Sequence, residues 1–266
     1  MPSRMKDYRA LLESAVAHSY EPISVLNFHR LDQAGGIDPG RRYLILRHDI
    51  DTDPDAAREF WQIECDFGAT ASHYFRLCTL SLDLMNQIED SGGEASYHYE
   101  EIATVAKEEC LRTRAEVTAA MPRIRERFAR NYQWLQKVSG LQMKSVASHG
   151  DFVNRKLLIS NDEILVDQDL RDDLGIELET YDDDAQVHIC SRHSDHMRPK
   201  LWHPSSPFEA IEQRHSVVYL LTHPRHFRCR IAQNLSCDMR RLYEGICFKH
   251  AMRSRHRVMR QPIVGE

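Results

Sequence analysis

Short apolar runs alternate with longer amphipathic stretches along most of the chain. Six runs rich in β-branched and aromatic residues have the length of strands, and they are 43–49, 71–77, 94–100, 143–150, 187–193 and 216–223. Residues 54–68 and 80–92 have the apolar spacing of helices, and each stretch ends in a glycine. Residues 106–138 are mostly helical by the same criterion, with Pro122 expected to open a second helix. This alternation predicts an α/β protein with parallel strands, either an open sheet or a β/α barrel.

Composition and charge narrow the class of protein. The 266 residues are 42% hydrophobic and 28% charged, which suits a globular protein with a sizeable core. The net charge of −5 argues against general nucleic-acid binding. No apolar stretch is long enough to span a membrane, and residues 1–20 predict a helix rather than a signal peptide, so we expect a cytoplasmic protein. The seven cysteines form no Cys-x-x-Cys pair, so neither a disulfide framework nor a thiolate zinc site is expected.

Several predicted strands finish in a polar residue of a kind that enzymes use for catalysis. These residues are Asp49 and Asp51, His98, His149, and His223. In β/α barrels the active site lies at the carboxyl ends of the strands. We therefore expect these five side chains to converge in one pocket.

The acidic run "RHDIDTDP" places Asp49, Asp51 and Asp53 at alternate positions. An EF-hand calcium loop is excluded, because its glycine and glutamate positions are Pro54 and Phe60 here. Asp53 is instead expected to cap a helix that begins at Pro54. An Asp-x-Asp pair after a strand also resembles the active-site motif of haloacid-dehalogenase-type phosphatases. A magnesium-dependent phosphatase with Asp49 as nucleophile is therefore an alternative function.

Taken in order, "RHDID", "EASYHYE", "SHGD" and "THP" resemble the motifs of the polysaccharide deacetylase superfamily, particularly divergent members found with bacterial surface-glycan genes. The resemblance implies a single domain over residues 1–266, folded as a distorted β/α barrel of about seven strands. It also implies a divalent metal ion, zinc by expectation, with Asp51 and His98 as ligands. Asp49 would be the catalytic base and His223 the general acid.

The chain departs from the family at the second metal histidine, because Ile102 stands four residues after His98. Two ligands hold an ion poorly, so a third must come from elsewhere. We expect His149, which precedes Gly150 at a strand end. His48 is the weaker alternative, because strand alternation turns it away from Asp51.

The substrate-binding side of the site is less defined by motifs. Residues 191–204 are expected to form a substrate loop, and Arg47 is expected to pair with Asp49 and keep it ionised. The expected substrate-binding residues are Arg47, Asp151, Asp195, Trp202 and His226. Residues 225–266 predict a basic helical tail, with ten Lys or Arg between Arg225 and Arg260, either a patch for anionic partners or a solvated helix.

Together these features favour a metal-dependent hydrolase that removes an acyl group from a nitrogen on a sugar or sugar-derived small molecule. A nucleotide-linked sugar is one such substrate, and the resemblance implies a role in the biosynthesis of surface polysaccharides such as O-antigen or capsule. Two other classes stay open from the sequence. One is the magnesium-dependent phosphatase, and the other is a catalytically silent glycan-binding protein on the same scaffold.

Overall fold

A computed structural model of the chain describes residues 3–196, 201–228, 239 and 242–248. The strands in this part are β1 (Tyr20–Ser24), β2 (Arg42–Ile50), β3 (Ser72–Phe75), β4 (Glu94–Tyr99), β5 (Ser145–Ser148), β6 (Leu178–Glu179), β7 (Ser191–Asp195), β8 (Trp202–His203) and β9 (Val217–Thr222). The helices are α1 (Met5–Ala17), α2 (Val25–Gln33), α3 (Pro54–Asp66), α4 (Leu82–Asp90), α5 (Glu101–Glu108), α6 (Arg114–Ser139), α7 (Phe152–Leu157), α8 (Gln168–Leu174) and α9 (Pro207–Glu212). Short 3-10 helices lie at Leu77–Thr79, Asn161–Val166, Asp184–Gln186 and Pro224–His226.

All nine of these strands belong to one sheet, in which eight follow the order β6-β5-β4-β3-β2-β9-β7-β8 and β1 pairs with β2 outside this order. β1 pairs with the first half of β2, and β3 pairs with its second half. Every pairing is parallel except that of β7 with β8. The carboxyl ends of the parallel strands therefore lie along one edge of the sheet.

The sheet is curled rather than flat. Leu178 of β6 packs in the same apolar cluster as Tyr43 of β2 and Tyr219 of β9, although several strands separate them along the sheet. Such a contact requires the sheet to bend round on itself. The predicted distorted barrel is confirmed as a curled, mostly parallel α/β sheet, with nine described strands rather than about seven.

Side chains of β2 alternate between the inside of the curl and the helical layer outside it. Tyr43 and Ile45 belong to the inner cluster, whereas Leu44 and Leu46 pack outward against α1, α3 and α9. A second apolar cluster, also on the helical side of the sheet, joins β3, β4 and β5 to α4, α5 and α6. A strand buried on both faces is expected to be apolar throughout, as residues 43–46 are.

Two sequence predictions of element boundaries were wrong. Pro122 does not open a helix but lies inside α6, which begins at Arg114 because Thr113 and Glu116 form a capping box. The strand predicted at 187–193 is β7, displaced toward the carboxyl end because its pairing with β9 starts at Ser191.

The predicted basic tail lies largely outside the described residues. Of its described part, residues 224–226 form a short 3-10 helix in which Arg225 is buried, and residues 242–248 are helical. No helix among the described residues is long and apolar enough to cross a membrane.

Candidate metal and catalytic site

Three side chains at the carboxyl edge of the sheet form a compact cluster: Asp51, His98 and His149. Asp51 directly follows β2, His98 is the last but one residue of β4, and His149 directly follows β5. The Oδ1 atom of Asp51 lies 3.5 Å from Nε2 of His98 and 3.2 Å from Nε2 of His149. Ligands held ~2.1 Å from a tetrahedral ion are about 3.4 Å apart, so this spacing fits a zinc-sized site. The two ligands and the third one expected from the sequence are thus brought together.

The outer nitrogens of both imidazoles face acceptors, and that of His98 is hydrogen-bonded. Nδ1 of His98 is 2.9 Å from the carbonyl oxygen of Ala147, and Nδ1 of His149 is 3.2 Å from a carboxylate oxygen of Glu100. Because a carbonyl and a carboxylate only accept, each Nδ1 carries its hydrogen. In the neutral rings the Nε2 lone pairs then face Asp51, and three electron-rich atoms converge on one point. A divalent cation fits this donor set, and outer partners of this kind are typical of metal-bound histidines.

The electrostatics of the cluster also call for a positive charge. Burial raises the pKa of Asp51, but the His149 and His98 imidazoles outweigh burial, and the pKa lies well below its usual range. Burial lowers the pKa of His149, but Asp51 and Glu100 outweigh it, and the net pKa is raised. Without a metal ion, the buried carboxylates thus favour a proton on His149. A bound cation would replace that proton.

Sequence reasoning missed Glu100 and Arg76, which support the cluster from outside. Arg76, which directly follows β3, lies 2.7 Å from Glu100 and also donates to the backbone oxygen of Asp51 at 3.1 Å. Burial raises the pKa of Glu100, but His149 and Arg76 lower it to about 2. Glu100 stands two residues after His98, so strand alternation could have placed both side chains on one face.

Asp49 lies beside the cluster and is held by Arg47. The guanidinium donates from Nε to Oδ1 at 2.8 Å and from Nη2 to Oδ2 at 2.9 Å, so the predicted pairing is confirmed. Oδ2 of Asp49 is also 3.6 Å from Nε2 of His98. Burial raises the pKa of Asp49, but Arg47 and His98 bring it below its usual value. Asp49 is therefore ionised at neutral pH.

His223, which directly follows β9, is oriented by Asp195 at the end of β7. Nδ1 of His223 is 2.7 Å from one oxygen of Asp195, and the other oxygen is 2.8 Å from Nδ1 of His226. Burial lowers the pKa of His223, but Asp195 together with Asp51 and Asp49 raises it to about 9. Burial raises the pKa of Asp195, but His223 and His226 lower it to about 2. His223 is thus an imidazolium at neutral pH, and it lies close enough to Asp49 and Asp51 for their charges to raise its pKa.

The residues expected to bind substrate have other contacts in the structure. Arg47 is fully buried on Asp49, and Asp195 uses both oxygens on His223 and His226. Asp151 caps α7 and lies 3.1 Å from Nζ of Lys107.

Trp202, also expected to bind substrate, packs in an apolar environment. Its ring packs on Phe227 at 5.9 Å, against the apolar cluster that contacts α1, α3 and α9, while its backbone pairs with Asp195 at the end of β7. The predicted substrate loop at 191–204 is in part the β7–β8 hairpin, and residues 197–200 lie outside the described part.

The site as a whole has the composition of a metal centre with an ionised carboxylate and an imidazolium beside it, a set that hydrolases use. No protein-family model matches the chain, and no curated protein matches its sequence. Among solved structures, the Streptococcus pyogenes deacetylase PplD in complex with acetate is similar to this chain, with a TM-score of 0.43 and 11% identity over 84% of this chain and 87% of that chain. A similarity of this degree supports no inference about activity.

Proposed function

We propose that this protein is a metal-dependent hydrolase that removes an acyl group from a nitrogen on a sugar or sugar-derived small molecule. One observation carries the proposal. A three-ligand cluster of Asp51, His98 and His149 has an ionised carboxylate, Asp49, and an imidazolium, His223, as neighbours. Amide hydrolysis needs all three parts, because the carbonyl is unreactive, water is a weak nucleophile and an amine leaves poorly unless it is protonated.

Asp51, His98 and His149 would hold the ion, which polarises a carbonyl oxygen and makes water a stronger acid. Asp49 accepts the proton that water loses as it attacks the acyl carbon. His223 donates its Nε2 proton to the departing nitrogen, since its Nδ1 is occupied by Asp195. Each residue therefore moves one proton, and the amide is replaced by a carboxylic acid and a free amine.

The ligand set favours zinc over magnesium. Magnesium is bound mainly by oxygen ligands and water, whereas imidazole ligands suit zinc and related transition metals. The alternative phosphatase is magnesium-dependent, so this ligand set disfavours it as well.

The experiment is a substrate panel for the zinc-loaded chain. N-acetylated hexosamines, free and nucleotide-linked, are incubated with the protein, and released acetate and new amine are measured together. We expect equal amounts of both products, and none from an Asp49→Asn variant that retains zinc. Phosphate release from sugar phosphates would instead support the phosphatase. Binding of these sugars with zinc present and no turnover would support the silent glycan-binding protein. The link to surface-polysaccharide biosynthesis is supported by the motif resemblance alone.

A further inference from the structure

A second cluster of metal-binding residue types lies on the opposite face of β2. His48 and His73 are register partners in β2 and β3, and Glu64 reaches them from α3. One ligand atom from each of the three lies within 4.8 Å of the others. The hydroxyl of Tyr8, from α1, lies 2.8 Å from Oε1 of Glu64. These four residues are called the outer cluster below.

The outer cluster is sealed from solvent. Tyr8, His48 and His73 have no exposed surface, and Glu64 has 2%. A buried carboxylate needs a compensating charge, and a buried imidazole needs partners for its nitrogens. Neither ring nitrogen of His73 makes a hydrogen bond of good geometry among the described residues, although the backbone of Ala71 adjoins the ring. Oε2 of Glu64 lies 3.4 Å from Nε2 of His73, which is the separation of two ligands around one tetrahedral ion.

His48 has the outer partner that a metal-bound histidine needs. Its Nδ1 is 2.6 Å from the hydroxyl oxygen of Thr222, the register partner of His48 in β9. Nε2 of His48 points to Oε1 of Glu64 at 2.8 Å and to the Tyr8 hydroxyl at 3.2 Å. The nitrogen that would bind a metal therefore faces the carboxylate, here at hydrogen-bond distance, so zinc would have to part this pair to ligand separation.

We propose that the outer cluster is a second zinc site, held by His48, His73 and Glu64, with the Tyr8 hydroxyl as the nearest fourth group. Because no ligand of the outer cluster is exposed, the site has no open position for substrate. A closed site of this kind stabilises the fold.

The outer cluster joins the fold to the catalytic residues. It ties α1 and α3 to the sheet through His48, the residue before Asp49. Thr222, which holds His48, is the residue before His223. Zinc bound there would hold the carboxyl ends of β2 and β9 from the face of the sheet opposite the first site. The competing explanation is a network held by protons alone, in which Tyr8 and His48 both donate to Glu64.

The test uses a chain in which the first site is removed, Asp51→Asn with His149→Ala, so that the result does not depend on the proposed activity. The protein is purified without chelator or nickel resin, loaded with zinc sulfate, and exchanged into zinc-free buffer. Zinc per chain is measured by mass spectrometry, and the thermal unfolding midpoint is measured with and without a strong chelator. We expect one zinc per chain and a lower midpoint after chelation.

Adding His73→Gln to that chain should abolish zinc binding, whereas His29→Gln, a change at another buried histidine, should leave it intact. Glu64→Gln gives a second route to the same loss if the His73 variant does not fold. The unaltered chain should bind two zinc ions. Absence of zinc from the double variant, or one zinc retained after His73→Gln, would overturn the proposal in favour of the proton-held network.

Discussion

The carboxylate of Glu100 lies 3.2 Å from Nδ1 of His149 and thereby determines which nitrogen of that ring faces Asp51. Arg76 in turn holds Glu100 with three hydrogen bonds, from Nε at 3.0 Å and from Nη2 at 2.7 and 2.8 Å. This chain of contacts orients a candidate ligand without contacting a metal. It also makes the imidazole a better donor, because a carboxylate that accepts from one nitrogen raises the basicity of the other.

Glu100→Gln should therefore weaken zinc binding without abolishing it. The amide keeps the size of the side chain but loses the charge, and loss of such an outer partner typically costs about 10–100-fold in metal affinity. Competition against a chromophoric chelator measures this change. Glu109→Gln, at an exposed glutamate paired with Arg123, is the matched control and should leave the affinity unchanged. Equal affinities of the Glu100 variant and the unaltered chain would show that Glu100 does not support a metal ligand.

Asp49 and Asp51 should separate into two roles. Asp49→Asn removes the proposed base and should lower turnover by about 10²–10⁴-fold while zinc content stays the same. Asp51→Asn removes a proposed ligand and should lower zinc content at the first site. Both variants are compared by zinc analysis and by acetate release on the same preparation. Equal loss of zinc in the two variants would mean that the roles cannot be divided in this way.

The sequence revealed the parts of the fold and site that depend on local patterns. Strand β2 was predicted from its apolar run, and the acidic residues at its carboxyl end were predicted to share a face from their two-residue spacing. The cap of α3 at Asp53, with Pro54 in the first turn, was likewise confirmed, because capping involves neighbouring residues only. β1 was not predicted because Pro22 interrupts its apolar pattern. β6 and β8 were not predicted because each has only two residues.

What depends on packing between distant elements could not be predicted. The outer cluster assembles from Tyr8 on α1, Glu64 on α3 and histidines on two strands, and no spacing in the sequence links them. The role of Asp195 in orienting His223 arises because β7 lies beside β9, an adjacency that only the sheet order reveals. Trp202 was assigned to a substrate loop, whereas it lies in the β7–β8 hairpin and packs on Phe227.

Asp151 is open to a test that distinguishes a helix cap from a substrate-binding residue. Asp151→Ala removes the hydrogen bond to the backbone nitrogen of Val153 and the ion pair with Lys107. Loss of an N-cap typically lowers the free energy of unfolding by about 0.5–2 kcal/mol. We expect a decrease of this size in urea unfolding, with KM for the substrate unchanged. A large rise in KM with unchanged stability would instead support the substrate-binding role expected from the sequence.

The pH dependence of turnover should report on His223. The group donates a proton, and Asp195 raises its pKa and keeps it protonated at neutral pH, so activity should fall as pH rises through the pKa of His223. Burial alone lowers the pKa of His223, and Asp195 is the main group that raises it. Asp195→Asn keeps a hydrogen-bond acceptor at Nδ1 but removes the charge. The pKa of His223 should then fall, and the alkaline limb of the pH profile should move to lower pH.

The measurement is kcat/KM against pH for the zinc-loaded chain and the Asp195→Asn variant, because this ratio reports groups of the free enzyme. His226→Gln is a suitable control, since it alters another partner of Asp195 but keeps the Asp195 charge beside His223. It should move the alkaline limb much less than Asp195→Asn does. An alkaline limb that stays in place when the Asp195 charge is lost would show that another group donates the proton, and His223 would lose its assigned role.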